Sequence, residues 1–228
     1  MRALLLTFLL MLPFHGQAMG DERLFSSGSV DIDLTRIGPE SIVEWDGDWW
    51  FGGDYNKMVV RSRGEVGRQL HAHQLQLLYS RYISHFWDVR IGMRYDHKAL
   101  SGWLGVVGLD GLAPYGIETG FSLYLGGRQS LAGEIELAWP LQLTQQWVVE
   151  PYTDIGWSGR EFTAADVGVG INLINAGLIF RYEFHRHIAT YIDIYYATHT
   201  GSTRSLKRMA GEDVERAGVK IGLRLFNW

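Results

Sequence analysis

The sequence predicts an all-β protein: a transmembrane, antiparallel, up-and-down β-barrel of about twelve strands, preceded by a cleaved signal peptide. Three observations carry this reading. Eleven or twelve stretches alternate apolar and polar residues with a period of two, the period at which successive side chains leave opposite faces of a strand. The polar face of these stretches is charged: from Trp87 onward, Trp87, Val89, Ile91, Met93 and Tyr95 point one way, while Asp88, Arg90, Gly92, Arg94 and Asp96 point the other. Finally, no complementary helix pattern accompanies the strands, so the apolar faces have lipid as their natural neighbour and the polar faces a lumen.

The chain opens with Arg2, an apolar run from Ala3 to Phe14 and the small-x-small site Gly16-Gln17-Ala18. This is the pattern of a secretory signal peptide, residues 1–18, cleaved after Ala18. The run falls short of the ~20 residues that a spanning helix needs. Residues 19–29 form a short N-terminal segment and 30–228 the barrel, as a single domain. The chain has no cysteine, which excludes a disulfide scaffold in an exported protein. A net charge of −4 offers no basic footprint for nucleic acid. Nine tryptophans, eleven tyrosines and ten phenylalanines, with 28 glycines against five prolines, suit an aromatic-girdled barrel.

In chain order the strands are expected near 30–37 (the weakest), 41–51, 56–66, 69–82, 87–97, 101–111, 115–126, 131–139, 147–157, 171–184, 188–199 and 217–226. Single-chain bacterial barrels have even strand numbers, which favours twelve, with ten as the alternative. Two strands resist a simple face assignment. Residues 101–111 are apolar on both faces, and the strand from Gln69 shifts phase near Gln74, the pattern of a bulge. With both termini in the periplasm, the short connections Gly52 to Tyr55, Ser84 to Phe86, Ala113-Pro114, Pro140 to Gln145 and His185 to His187 become periplasmic turns. The long ones, Ser158 to Gly170 and Thr200 to Arg216, fall outside the cell, as is usual for such barrels.

The faces follow by parity. Ile117, Phe121, Leu123 and Leu125 face lipid while Glu118, Ser122 and Tyr124 face in; Ile135, Leu137 and Trp139 oppose Glu134 and Glu136. Trp147, Val149, Ile155 and Trp157 oppose Glu150, Tyr152 and Asp154; Leu178, Phe180 and Tyr182 oppose Arg181 and Glu183. Ile188, Ile192 and Ile194 oppose Tyr191, Asp193 and Tyr195, and Val219, Ile221, Leu223 and Leu225 oppose Lys220 and Arg224. A charge on the lipid face costs about 2–4 kcal/mol near the midplane, which makes this partition close to compulsory.

The lumen charges expected from this partition include Asp88, Arg90, Arg94, Asp96, Glu118, Glu134, Glu136, Glu150, Asp154, Arg181, Glu183 and Asp193, with Glu44, Asp46, Asp48, Glu65, Arg61 and Arg63 among their neighbours. Buried charges have to be paired, so a lattice of ion pairs is the simplest expectation. The acid excess adds a second: carboxylates lining a pore repel anions and concentrate cations.

Two H-x-H pairs, His71-Ala-His73 and His185-Arg-His187, are candidate metal ligands, because the spacing puts both imidazoles on one strand face. His71, His73, His97 and His199 fall at strand ends on the outer rim, with Met209 in the neighbouring long loop. Imidazole with thioether favours copper, the cuprous ion in particular. Parity turns Met93 and Met58 towards lipid and removes them as ligands. For a hydrolase, His199-Thr-Gly-Ser202 is the one His/Ser pair that invites a nucleophile, but it lies at a strand-to-loop junction where Gly and Ser are turn formers.

Several segments resemble the copper resistance protein B family: Gly52-Gly53-Asp54-Tyr55-Asn56-Lys57, Tyr79-Ser80-Arg81, Phe86-Trp87-Asp88, Gly92-Met93-Arg94-Tyr95-Asp96, Gly111-Leu112-Ala113-Pro114-Tyr115, Arg181-Tyr182-Glu183 and Gly211-Glu212-Asp213. They occur in order from about Trp45 to Phe226. The resemblance implies a role in copper tolerance at the outer membrane, alongside periplasmic copper-handling proteins; with the His/Ser pair explained as a turn, the chain is expected to be no enzyme and to have membrane lipid and copper ions as its other partners. Two departures stand out. Family members often carry a Met-rich, His-containing tract before the barrel, whereas residues 19–40 contain only Met19, which leaves copper binding to the barrel itself. They also tend to end on an aromatic in phase with the last strand, whereas Trp228 falls on the lumen parity. A structural or general small-cation barrel without metal specificity is the alternative function, and a lipid hydrolase the third.

Overall fold

The computed structural model describes residues 24–37, 40–67, 70–97, 102–126, 130–161 and 167–227. These form one closed antiparallel sheet of twelve strands: β1 Phe25–Ile37, β2 Glu40–Gly52, β3 Asn56–Val66, β4 Leu70–Ser84, β5 Trp87–Asp96, β6 Gly102–Ala113, β7 Ile117–Gly126, β8 Ser130–Ala138, β9 Trp147–Ser158, β10 Gly170–His185, β11 Ile188–His199 and β12 Glu215–Asn227. Each strand pairs with its neighbours in sequence, and β1 closes the circuit on β12 from Gly28↔Asn227 to Leu34↔Ile221. The expected signal peptide, and Trp228, lie outside the described residues.

Alternation sets the two faces. Ile221 is 65% exposed and Ile91 56%, as are other outward residues around the wall, giving an apolar outer surface that is at rest only in lipid. Met93 and Met58 stand on this surface as well. After Ala138, Pro140 cannot donate to a ladder; pairing with β9 resumes for two residues, Leu141–Gln142, opposite Val149 and Val148. Gly52 ends β2 where a side chain would collide with the Asn56 carbonyl, so the turn requires a glycine.

Three expectations change. The first strand starts at Phe25 and not Val30, pairing Phe25 with Gly52; residues 25–29 are mostly Ser and Gly and show no alternation. The phase of β4 runs unbroken through Gln74. The register shifts instead at its two ends, opposite Glu65/Val66 and between Tyr82 and Ser84. What imitates a phase shift is Leu78, which faces inward. It joins Val59, Leu104, Val106 and Tyr124 in a buried apolar cluster, with Trp50 and Ala132 against it. The same cluster explains why β6 is apolar on both faces: one face meets lipid, and the other fills part of the lumen. The Thr200 to Arg216 connection carries a helix, α1 Gly201–Met209, which the sequence reading missed. Only Leu206 and Met209 mark it with apolar spacing.

Candidate functional site

With the apolar cluster packed against β3 to β7, the rest of the lumen holds a cavity of about 910 Å³. Twelve carboxyl side chains line it against six bases. Strand register explains how they meet. β1 offers Asp31 and Asp33 on its inner face, β2 offers Glu44, Asp46 and Asp48, and β3 offers Arg61, Arg63 and Glu65. Asp46 and Asp48 thereby stand opposite Arg63 and Arg61, with contacts of 2.9 Å and 2.6 Å.

Arg61 and Arg63 do more than pair with their neighbours. Arg61 also reaches Asp110 on β6 at 3.4 Å and Glu136 on β8 at 3.6 Å. Arg63 reaches Glu136 at 2.5 Å and Glu134 at 3.7 Å. β3 and β8 are five steps apart around the sheet, so these contacts form a clasp across the lumen. Tyr124 donates to Glu134 at 3.0 Å, and Arg94 lies over the Tyr124 ring at 4.3 Å while pairing with Asp96 at 2.9 Å.

Nearer the periplasm a second knot forms. Glu150 takes Arg181 at 2.6 Å and Arg224 at 3.5 Å. Arg224 also makes a two-pronged bond to Asp31, both prongs at 2.6 Å, and Arg181 reaches Glu183 at 3.3 Å. Lys57 pairs with Asp88 at 3.2 Å and Arg90 with Asp110 at 3.0 Å. Asp154 accepts from Asn175 at 3.0 Å and Asp193 from Tyr152 at 2.9 Å. Glu118 lines the cavity with no ion pair among the described contacts. Asp31, Asp33, Asp110 and Lys57 join this lattice without having been expected there from the sequence. Asp31 and Asp33 lie on the weakest strand and Asp110 on the doubly apolar one, although simple parity would have found all three.

The described rim residues do not gather at one point. His73 and His97 are directly opposed on β4 and the end of β5, with the His97 N–H donating to the His73 carbonyl at 3.0 Å. His73 shares the outward parity of Leu77 and Tyr79. Its ring lies 5.8 Å from that of Trp45, and its Nε2 is 3.4 Å from Ser62 Oγ. His199 shares the inward parity of Tyr191 and Asp193. Its Nδ1 is 3.2 Å from the Asn172 carbonyl; a carbonyl only accepts, so Nδ1 carries the proton and Nε2 is the acceptor. β4 and β11 are five strands apart, or about 24 Å along the wall at about 4.8 Å per strand. Ligands with bonds near 2 Å lie within about 4 Å of each other, so His199 cannot share an ion with His73 and His97. Met209 is 78% exposed at the far end of α1, and the side chain of His71 lies outside the described residues. Among the described residues, no three His, Asp or Glu side chains already converge as a metal site. His185 and His187 sit at the periplasmic turn, where His187 Nδ1 donates to the Phe226 carbonyl at 3.3 Å.

The His199/Ser202 pair lacks the arrangement of a nucleophile and its base. Ser202 Oγ donates to the Val169 carbonyl at 3.0 Å while His199 Nδ1 is committed to Asn172. Thr203 Oγ1 accepts from the Gly168 N–H at 2.8 Å. These side chains strap α1 to the other long external connection.

Residues 32–227 match the family model described as copper resistance protein B precursor. A copper resistance protein B homolog from Pseudomonas syringae pv. tomato is 29% identical over 189 residues, covering 82% of this chain and 64% of the relative. The chain thus spans a little under two thirds of that protein. Copper resistance protein B from Escherichia coli is 26% identical over 220 residues, covering 93% of this chain and 73% of the relative. Among solved structures, the NanC porin superposes with a TM-score of 0.59 at 13% identity, covering 87% of this chain and all of that one, a likeness of fold.

Proposed function

The chain belongs to the copper resistance protein B family, and from that premise we propose that this outer-membrane barrel serves copper resistance by binding copper at its outer rim and admitting cations to an acidic lumen. The observation that carries this reading is the arrangement of carboxylates on the inner wall. Asp31 faces Asp46, Asp33 faces Glu44, Glu44 faces Glu65, Asp88 faces Asp110 and Asp154 faces Glu136 directly across strand pairs. Like charges so placed destabilise a sheet, and an acidic wall is useful where it concentrates cations. Six bases among twelve acids leave that wall negative.

For copper itself the supporting pair is His73 with His97. A direct cross-strand pair brings two imidazoles to one face, and imidazole suits copper. In isothermal titration of the refolded barrel with cuprous and cupric ions, His73→Ala/His97→Ala is expected to weaken binding at least about tenfold, the lower bound for losing even an outer partner of a metal ligand. His199→Ala should leave that binding unchanged. Equal affinity in wild type and double variant would sink the rim site.

A second reading, a small-cation barrel without metal preference, draws on the lumen donors being carboxylates, which suit harder ions. Liposome conductance separates the two: cation selectivity without copper binding favours this reading. Periplasmic copper-handling proteins would meet the barrel at its short-turn rim.

A further inference from the structure

The segment Tyr79-Ser80-Arg81 has no part in the rim histidines, and only Ser80 of it faces the lumen. Along β4 the outward row reads Leu77, Tyr79, Arg81, Ile83, and all four side chains are exposed. Among the described wall residues, Arg81 and Glu215 are the only acids or bases on the outward parity. Glu215, at the outer end of β12, is paired with Arg204. The Arg81 guanidinium has no ion pair or side-chain hydrogen bond among the described residues.

The height of Arg81 is fixed by its neighbours. It stands directly opposite Asn56, the first residue of β3, and Val89, two residues beyond Trp87 at the start of β5. Around the same periplasmic edge run Trp147, Tyr182 and Phe184, with successive ring centroids 4.9 Å and 4.8 Å apart. Such aromatic belts settle at headgroup level, and there an outward arginine costs only about 0–1 kcal/mol, against about 2–4 at the midplane.

A second group of donors faces the same way. The Tyr79 hydroxyl donates to Asn56 Oδ1, which leaves the two Nδ2 hydrogens of that amide as donors beside the guanidinium of its cross-strand partner. Towards mid-membrane, the outward rows Met58, Tyr79, Ile91 and Val60, Leu77, Met93 lie side by side across β3, β4 and β5. Donors at headgroup level above a continuous apolar bed match a phosphate joined to acyl chains.

We propose that Arg81 and Asn56, with Tyr79 orienting the amide, bind the phosphate of an anionic phospholipid in the inner leaflet of the outer membrane. The guanidinium fork grips two phosphate oxygens, the amide donates to the headgroup beside it, and the acyl chains lie along the apolar rows. The periplasmic depth of the site selects the leaflet, and the unpaired positive charge selects an anionic headgroup. The inference rests on the orientation of the barrel in its membrane and not on copper binding.

Native mass spectrometry of the refolded full barrel, offered equal amounts of phosphatidylglycerol and phosphatidylcholine in detergent, counts the lipid retained. Wild type is expected to retain phosphatidylglycerol preferentially. Arg81→Gln should lower that retention at least about fivefold, equivalent to about 1 kcal/mol for one basic residue at an anionic lipid surface, and Asn56→Ala should lower it less. Equal retention in wild type and Arg81→Gln would overturn the proposal. Excess inorganic phosphate should leave the lipid in place; displacement would reveal a site for free anions and refute the lipid. If Arg81→Gln does not fold, as judged by heat-modifiable gel migration, wild type and Asn56→Ala carry the test, and the absence of any headgroup preference in wild type overturns the site. His73→Ala/His97→Ala should retain phosphatidylglycerol as wild type does; a loss there would move the lipid to the outer rim and overturn the assignment to Arg81.

Discussion

Replacing Glu136 with alanine is expected to destabilise the barrel by about 3 kcal/mol, the lower end of the ~3–5 kcal/mol lost when one partner of a buried ion pair is removed. Glu136 is the point at which Arg61 and Arg63 cross from β3 to β8. Without it, Arg63 retains Asp46 and a distant Glu134, and Arg61 retains Asp48 and Asp110. The lower end applies because the carboxylate is 22% exposed to the cavity. Urea unfolding in lipid, followed by tryptophan fluorescence, reads the loss. Single-channel recording reads the second consequence: removing an acid beside two arginines should lower cation-over-anion selectivity. Stability within 1 kcal/mol of wild type would show that the clasp carries little of the fold.

Ile221→Arg is the second large effect, expected to cost about 2–4 kcal/mol because it places a charge on the lipid face near mid-membrane. Ile221 lies midway along β12, directly opposite Leu34 and Ile192, and is 65% exposed. Ile221→Leu is the control, since it preserves apolarity and volume. A cost below about 1 kcal/mol in bilayers would mean that this surface does not face hydrocarbon. The clasp variant tests what fills the barrel, and this one tests what surrounds it.

Much of the wall was legible in the sequence because lipid punishes misplaced charge so severely. Parity alone orders Trp87 to Asp96, and it would have ordered Asp31, Asp33 and Asp110 as well. What parity could not convey is that the lumen is not uniformly polar. Leu78, Leu104 and Val106 face inward and pack together, so an inward apolar residue reads as a slip of phase until its partners on other strands are known. Partner choice was equally hidden. That Arg61 should favour Glu136 depends on which strands lie across the lumen, a property of closure and not of any local segment. The histidines teach the opposite lesson. His73 shares its parity with Leu75 and Leu77, and His199 with Asp193 and Tyr195, so their opposite faces were already written in the pattern.

The seam between β1 and β12 bears on how the chain comes to be finished. Arg224 binds Asp31 across a sequence separation of 193 residues, and Lys220 binds Glu44 across 176. Until the last strand arrives, Asp31 and Glu44 on the first two strands therefore lack these bases, whereas Asp46 and Asp48 already have Arg63 and Arg61 of β3. A carboxylate at membrane depth is costly unless paired, so these two acids gain most from the arrival of β12. The closing ion pairs thus reward completion of the circuit, because they form only once the last strand lies beside the first.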